Sequence, residues 1–225
     1  MPRAVVNVSY CAAHRKSPQP NIPGTIAPAL HAAWLEECVD HWLTLGYPVT
    51  VSAVCWPLCI SSIACPQERA ITWRIFAKAR FLTLTHDSEH QLGASWALRL
   101  GLDFALNLQY DYLIHTAEDV VPCRGMAANM LAKLDAGLDY AGSGWTPGRR
   151  EVNAQFFGCR ASACAAFEPN VYRVGKPIEE HLFDVLEGKK LFFYYPDAWG
   201  PNRLAEFYET THDYDEWKKL LDKVR

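Results

Sequence analysis

No uninterrupted apolar stretch in these 225 residues approaches the roughly 20 needed to cross a bilayer. Nor is Met1 followed by an apolar run of about 7–15 residues and a small-residue cleavage site, so no secretory leader is expected. Charge of one sign is missing as well. Lys and Arg number 22 against 25 Asp and Glu, a net charge of -3. That balance excludes whole-molecule attraction to nucleic acid or to an acidic membrane surface, while leaving room for a local basic patch. The eight cysteines lack paired C-x-x-C spacing. Cys55, Cys59 and Cys65 cluster, but no second pair follows, so they read as buried or loop thiols rather than zinc ligands. These absences predict a soluble, cytoplasmic protein with reduced cysteines.

What is present is a core-forming composition: 50% of the residues are apolar and 21% charged, which excludes global disorder. Strand-like and helix-like stretches alternate. The patterns predict strands over Ala4–Tyr10, Val49–Val54, Phe81–Thr85 and Tyr112–His115. They predict helices over Leu30–Leu45, Gln67–Ala79, Leu92–Leu108 and Gly125–Ala136. Gly46 stands where a helix C-cap belongs. Within the third helix, Ala97, Gly101 and Ala105 form a small face for close approach to a sheet, with Trp96, Leu100, Phe104 and Leu108 filling space beside it. The second half is less regular. Strands are predicted over Leu138–Ser143, Gln155–Cys159 and Leu191–Tyr195, and helices over Pro177–Glu187 and Asp215–Val224. With no repeat and no linker, the reading is one α/β domain over 1–225. It has a mostly parallel central sheet, helices on both faces and a C-terminal helix.

In parallel sheets, ligands bind beyond the carboxyl ends of the strands. Glu118 and Asp119 stand at such an end, directly after the apolar strand of "YDYLIHTAEDVVP". A surface turn that happens to be acidic is the plain reading. A cation site is the functional one. His115, just inside the strand, reads as a core histidine.

The order of these pieces resembles the nucleotide-sugar glycosyltransferases of the GT-A fold, family 2-like. The helix "GASWALRLGLDFA", Gly93 to Ala105, precedes the acid-bearing strand as in that family. "FFGCRASACAAF", Phe156 to Phe167, is similar to its strand-then-helix on the acceptor side. "PIEEHLFDVLEGKKLFFYYPDAW", Pro177 to Trp199, is similar to the segment that opens on a catalytic acid and runs through a helix and a glycine to a strand. The resemblance implies a nucleotide-sugar-binding half over 1–120 and an acceptor-side half over 121–225. It implies transfer of a sugar from a nucleotide-sugar donor, UDP-linked by preference, assisted by Mn²⁺ or Mg²⁺.

It also implies residue roles. Asp119 matches the metal-binding acid of the family's D-x-D motif. Thr116-Ala117-Glu118-Asp119 lacks the first acid of that motif, so Glu118 enters only as a helper in donor binding. His212 matches a late histidine that members of the family supply to the metal. Ser9 and Tyr10 stand at the end of the first strand, over which the nucleotide lies in that family, Tyr10 as a stacking ring or as a packing tyrosine, and Arg99, with Arg80, is a candidate for phosphate. Glu180, ahead of Glu179, occupies the place of the base that takes the acceptor's proton. Acids in a first helical turn are favoured by the helix dipole in any case. Arg149 and Arg150 lie in a polar loop that reads as a flap or as plain solvated chain. The acceptor is a glycan, small molecule, protein or nucleic acid.

Two other readings stand beside this one. A nucleotidyltransferase shares the layout and the metal acids, but it carries a glycine-rich basic loop after its first strand. "CAAHRKSPQPNIPG" is basic and lacks the glycine run. A non-catalytic binding protein on a transferase scaffold would also explain the incomplete acid motif.

Overall fold

The computed structural model describes residues 3–11, 28–54, 63, 65–84, 90–123, 125–144, 150–194, 208–210 and 214–224. Its first half is a repeating strand–helix pattern. Strand β1 (Ala4–Cys11), helix α1 (Pro28–Thr44), β2 (Val49–Val54), α2 (Pro66–Lys78), β3 (Arg80–Leu84), α3 (His90–Asn107) and β4 (Tyr112–Ala117) follow in order. Then come β5 (Val120–Pro122), α4 (Met126–Asp135), β6 (Tyr140–Gly144), β7 (Val152–Arg160), α5 (Ile178–Val185), β8 (Leu191–Tyr194), β9 (Tyr208–Thr210) and α6 (Tyr214–Val224).

Seven strands form the central sheet in the order β3-β2-β1-β4-β7-β6-β8. All run parallel except β7, which is antiparallel to both β4 and β6. The composition of β2, VTVSAV, explains its place. Every residue of it is buried, as an inner parallel strand covered on two faces requires. Even-numbered residues of β1 (Val6, Val8, Tyr10) join the core that includes Trp34, Leu35 and Trp42 of α1. Odd-numbered Val5 joins the opposite core with Leu98, Leu102 and Ala105 of α3. Helices therefore cover both faces, as the period-2 alternation demands.

On the α3 face a polar side chain sits at the centre of the sheet. Asn7 is fully buried. Its Nδ2 donates to the Ala97 carbonyl at 3.1 Å and to His115 Nδ1 at 3.0 Å, and its Oδ1 accepts from Ser52 Oγ at 2.6 Å. A Cβ at Gly101 would lie 2.4 Å from Asn7 Cγ and Nδ2, so the glycine is what lets α3 close onto this side chain. The small face of α3 thus packs as predicted. Leu108 does not: it is 46% exposed, because α3 ends at Asn107 and Leu108 lies in the turn beyond.

The end of α1 also follows its sequence. Gly46, with φ +85°, donates to the Leu43 carbonyl at 2.9 Å, and the Tyr47 amide reaches the Trp42 carbonyl at 3.2 Å. The Tyr47 and Trp42 rings meet at 5.9 Å. This is a Schellman cap with its accompanying apolar contact.

Other expectations are corrected. The strand-then-helix over Phe156–Phe167 is β7 followed by a 3-10 turn, Ala161–Cys164. Pro177 caps α5 from outside rather than occupying its first turn. Beyond the main sheet, β5 and β9 form an antiparallel pair with Val120 opposite Thr210. Helix α6 follows, burying Trp217 against Trp34 of α1 at 5.5 Å between ring centroids. No helix among the described residues is long and apolar enough to cross a membrane.

Candidate functional site

The strands β1, β2, β3 and β4 end on one edge of the sheet. Glu118 and Asp119 are the whole connection between β4, ending at Ala117, and β5, starting at Val120. Both acids therefore stand at a carboxyl edge, beside the end of β1. They behave differently there. Glu118 turns inward, and its Oε1 accepts from His31 Nε2 of α1 at 3.1 Å, with the two side chains 8% and 2% exposed. Asp119 is half-buried. Cys38, one helical stretch below His31, reports on both acids: burial pushes its thiol up, and the Glu118 and then Asp119 carboxylates push it further.

The structure redistributes several predicted roles. Tyr10 is fully buried, and its ring lies against His31 at 4.5 Å. The alternation of β1 aims it at α1, so it packs the helix instead of offering a face to a base. Ser9 points the other way, and its Oγ donates to the Thr116 carbonyl at 3.3 Å, tying the ends of β1 and β4 together. Arg99 is committed within the fold. Its Nη1 donates to the Ala165 and Phe167 carbonyls at 2.9 Å each, and its Nη2 pairs with Asp103 at 2.6 Å. It fastens α3 to the segment after β7, which replaces the phosphate role. Arg80 opens β3 at the opposite, amino edge of the sheet and is exposed, far from any donor at the carboxyl edge. His115 is the core histidine it was read as. Burial drives its pKa down to about 3, and since Asn7 donates to Nδ1, the neutral ring carries its proton on Nε2.

The acids of α5 stand on the second half of the same edge. Because β7 is antiparallel, its amino end lies at the carboxyl edge of its neighbours, and Glu151 precedes that end. Glu179 and Glu180 occupy the first turn of α5, both half-buried. Burial raises the Glu179 pKa above the usual carboxylate range, and Glu151 and Glu180 add like-charge repulsion. Next to them, Arg150 pairs with Glu187 at 2.9 Å and Asp184 at 3.5 Å and lies over the Phe183 ring. The start of β7 is thereby fixed to α5, and Arg150 is not part of a free flap. Asp184 is also paired with Lys176. Arg149 and His212 lie outside the described residues, as do Cys55 and Cys59. Cys65 caps α2.

A divalent cation suits this edge in one form only. The described residues contain no group of three or more His, Cys, Asp or Glu able to hold a metal, so they build no all-protein cage. Asp119 could offer one hard oxygen ligand at a strand end. Mg²⁺-type sites commonly take one or two carboxylates and draw their other ligands from substrate phosphates and water.

His31 and Glu151 escaped the sequence reading. The signal for His31 was present: it lies on the same buried helical stripe as Trp34, Leu35, Cys38 and Trp42, and a histidine on such a stripe needs a polar partner.

No protein-family model matches the chain. No curated protein matches it either. Solved structures do. A protein assigned as a nucleotide-diphospho-sugar transferase from Desulfovibrio desulfuricans G20 aligns over 100% of this chain and 99% of its own, with TM-score 0.54 and 11% identity. The 4-diphosphocytidyl-2C-methyl-D-erythritol synthase of Anaerococcus prevotii aligns over 99% and 96%, with TM-score 0.55 and 9% identity. A protein assigned as a glucose-1-phosphate thymidylyltransferase of Bacillus anthracis aligns over 100% and 96%, with TM-score 0.56 and 9% identity. At these identities the likeness establishes the fold alone: the chain has the fold of these structures.

Proposed function

We propose that this chain is a glycosyltransferase that moves a sugar from a nucleotide-diphosphate donor, UDP-linked by preference, to an acceptor hydroxyl. The observation that carries the reading is the place of Asp119. It follows β4, next to the end of β1, in a sheet of order β3-β2-β1-β4-β7-β6-β8, where ligands of such sheets bind. When bound, a divalent cation would offset the charge that develops on the departing diphosphate. Asp119 would hold it, with His212 as the second protein ligand.

Across the same edge, Glu179 is the better-supported base. Burial and its acidic neighbours keep its carboxyl more basic than an exposed one, which brings it nearer the operating pH of a general base. It would accept the acceptor hydroxyl's proton as that oxygen bonds to the sugar carbon and the bond to the diphosphate breaks. Glu180, beside it, is the alternative.

Nucleotidyl transfer is the second reading, favoured by one observation: solved structures with this fold include proteins named as a thymidylyltransferase and a diphosphocytidyl-methylerythritol synthase. Against it stands the absence of a glycine run in "CAAHRKSPQPNIPG" after β1. The products separate the two. Incubation with UDP-sugars and Mn²⁺ should release UDP. Incubation with CTP, TTP or UTP and sugar 1-phosphates should release no pyrophosphate. Pyrophosphate release without UDP formation would reverse the assignment.

A further inference from the structure

We propose that His31 is a positioning residue for the donor site, and that Glu118 is its anchor point rather than a second metal ligand. The inference rests on the transferase reading above and deepens it. Its basis is the length of the acidic turn. Glu118 and Asp119 alone join β4 to β5, so whatever holds Glu118 also fixes the Cα of Asp119. Glu118 is held by a long-range contact from His31 Nε2 to its Oε1 at 3.1 Å, between residues 87 apart in the chain. A carboxylate only accepts, so Nε2–H is the donor. The other side of the turn is held by β5, paired to β9.

His31 is in turn backed by Tyr10, whose buried ring lies 4.5 Å away at the end of β1. Helix α1, β1 and the acidic turn are thereby tied to one another through this imidazole. A carboxylate this buried cannot swing out to a cation without breaking that bond. Glu118 therefore orients, and Asp119 ligates. The arrangement accounts for a motif with one acid turned inward and one left half-buried at the edge: the inward position is spent on geometry. Groups behind a metal ligand commonly change metal affinity by about 10–100-fold when removed.

The test measures UDP affinity by calorimetry on the full chain, once with Mn²⁺ and once with EDTA, and takes the ratio of the two Kd values. His31→Ala and Glu118→Ala should each reduce that ratio by about tenfold or more. The double variant should lose no more than either single one. Glu118→Gln keeps an acceptor oxygen for His31 and should recover most of what Glu118→Ala loses, whereas Asp119→Asn should abolish the Mn²⁺ dependence. A purely structural role would lower the melting temperature of His31→Ala and leave the ratio unchanged, which overturns the proposal. Loss of the ratio in Glu118→Gln as deep as in Asp119→Asn would make Glu118 a ligand and also overturn it. If the unmodified chain binds UDP neither with nor without Mn²⁺, the transferase reading itself fails, and the proposal fails with it. Wild-type binding with an unaffected His31→Ala sinks the positioning role alone.

Discussion

At the scale of single residues, Asn7 and His115 set the chemistry of the interior. Asn7 spends both amide hydrogens and its oxygen on three partners, so its tip cannot move aside for a larger neighbour. Two effects oppose each other in Gly101→Ala. Helix propensity favours alanine by about 1 kcal/mol. The new Cβ would stand 2.4 Å from Asn7, and overpacking of this kind costs about 1–3 kcal/mol. The clash should win, so denaturant unfolding is expected to show a net loss of stability. Asn7→Ala combined with Gly101→Ala should lose less than the sum of the two, since removing the tip removes the clash. His115 gives a pH dependence. Its folded pKa, about 3, is depressed from 6.5 by burial. The native ring refuses a proton that the unfolded chain accepts, so its contribution is present above about 6.5 and is lost as pH falls toward about 3. The slope is roughly 1.4 kcal/mol per pH unit within that window. Urea midpoints from pH 7 to 4 should fall less steeply in His115→Gln than in the unmodified chain. Equal slopes would mean that the ring does not titrate this way.

At the scale of elements, two glycines separate two kinds of constraint. Nothing lies within 4 Å of a Cβ placed on Gly46, so Gly46→Ala meets no clash. Its φ of +85° is what an alanine resists, at about 1–2 kcal/mol. Thermal unfolding of Gly46→Ala should show that loss with Trp42 fluorescence unchanged in the native state. This cap was legible in the sequence because a C-cap is a local event: a helical pattern stops and a glycine follows. The small face of α3 was legible for the same reason, because Ala97, Gly101 and Ala105 repeat every four residues. What stayed hidden depends on pairing. The reversal of β7 leaves no mark on its own side chains, since an inner strand buries both faces in either direction. Strands β5 and β9, of three residues each, are too short to show a period. The bond from His31 to Glu118 joins two segments that share no pattern, and Tyr10, at the strand's end, reads both as a ring for a base and as a packing tyrosine, because the sequence does not show what covers it.

At the scale of the whole molecule, the sheet brings two sets of acids to one edge from opposite halves. Glu118 and Asp119 come from the first half, and Glu151, Glu179 and Glu180 from the second. The sequence reading named all of these except Glu151, and the direction of β7 brings Glu151 to the same edge. The two readings of Glu179 make opposite predictions. If it serves only the helix dipole, Glu179→Gln should cost about 0.3–1 kcal/mol and leave turnover alone. The raised pKa argues against the stability loss. A carboxyl whose folded pKa is raised by burial and like charges is destabilised when ionised, so its contribution is fullest below the unfolded pKa and is lost as pH rises through the folded one. At neutral pH a glutamine should be at least as stable as the glutamate. As the base, the same carboxylate should matter greatly: Glu179→Gln is expected to lower turnover by ~10²–10⁴-fold with UDP affinity unchanged. In the unmodified chain kcat/KM should rise with pH through the raised pKa, and in the variant that rise should disappear. A variant that melts no lower, binds UDP equally well and turns over far more slowly would fit only the base. Normal turnover in Glu179→Gln with a loss in Glu180→Gln would move the role one residue along. Normal turnover in both would remove the inverting base from the mechanism.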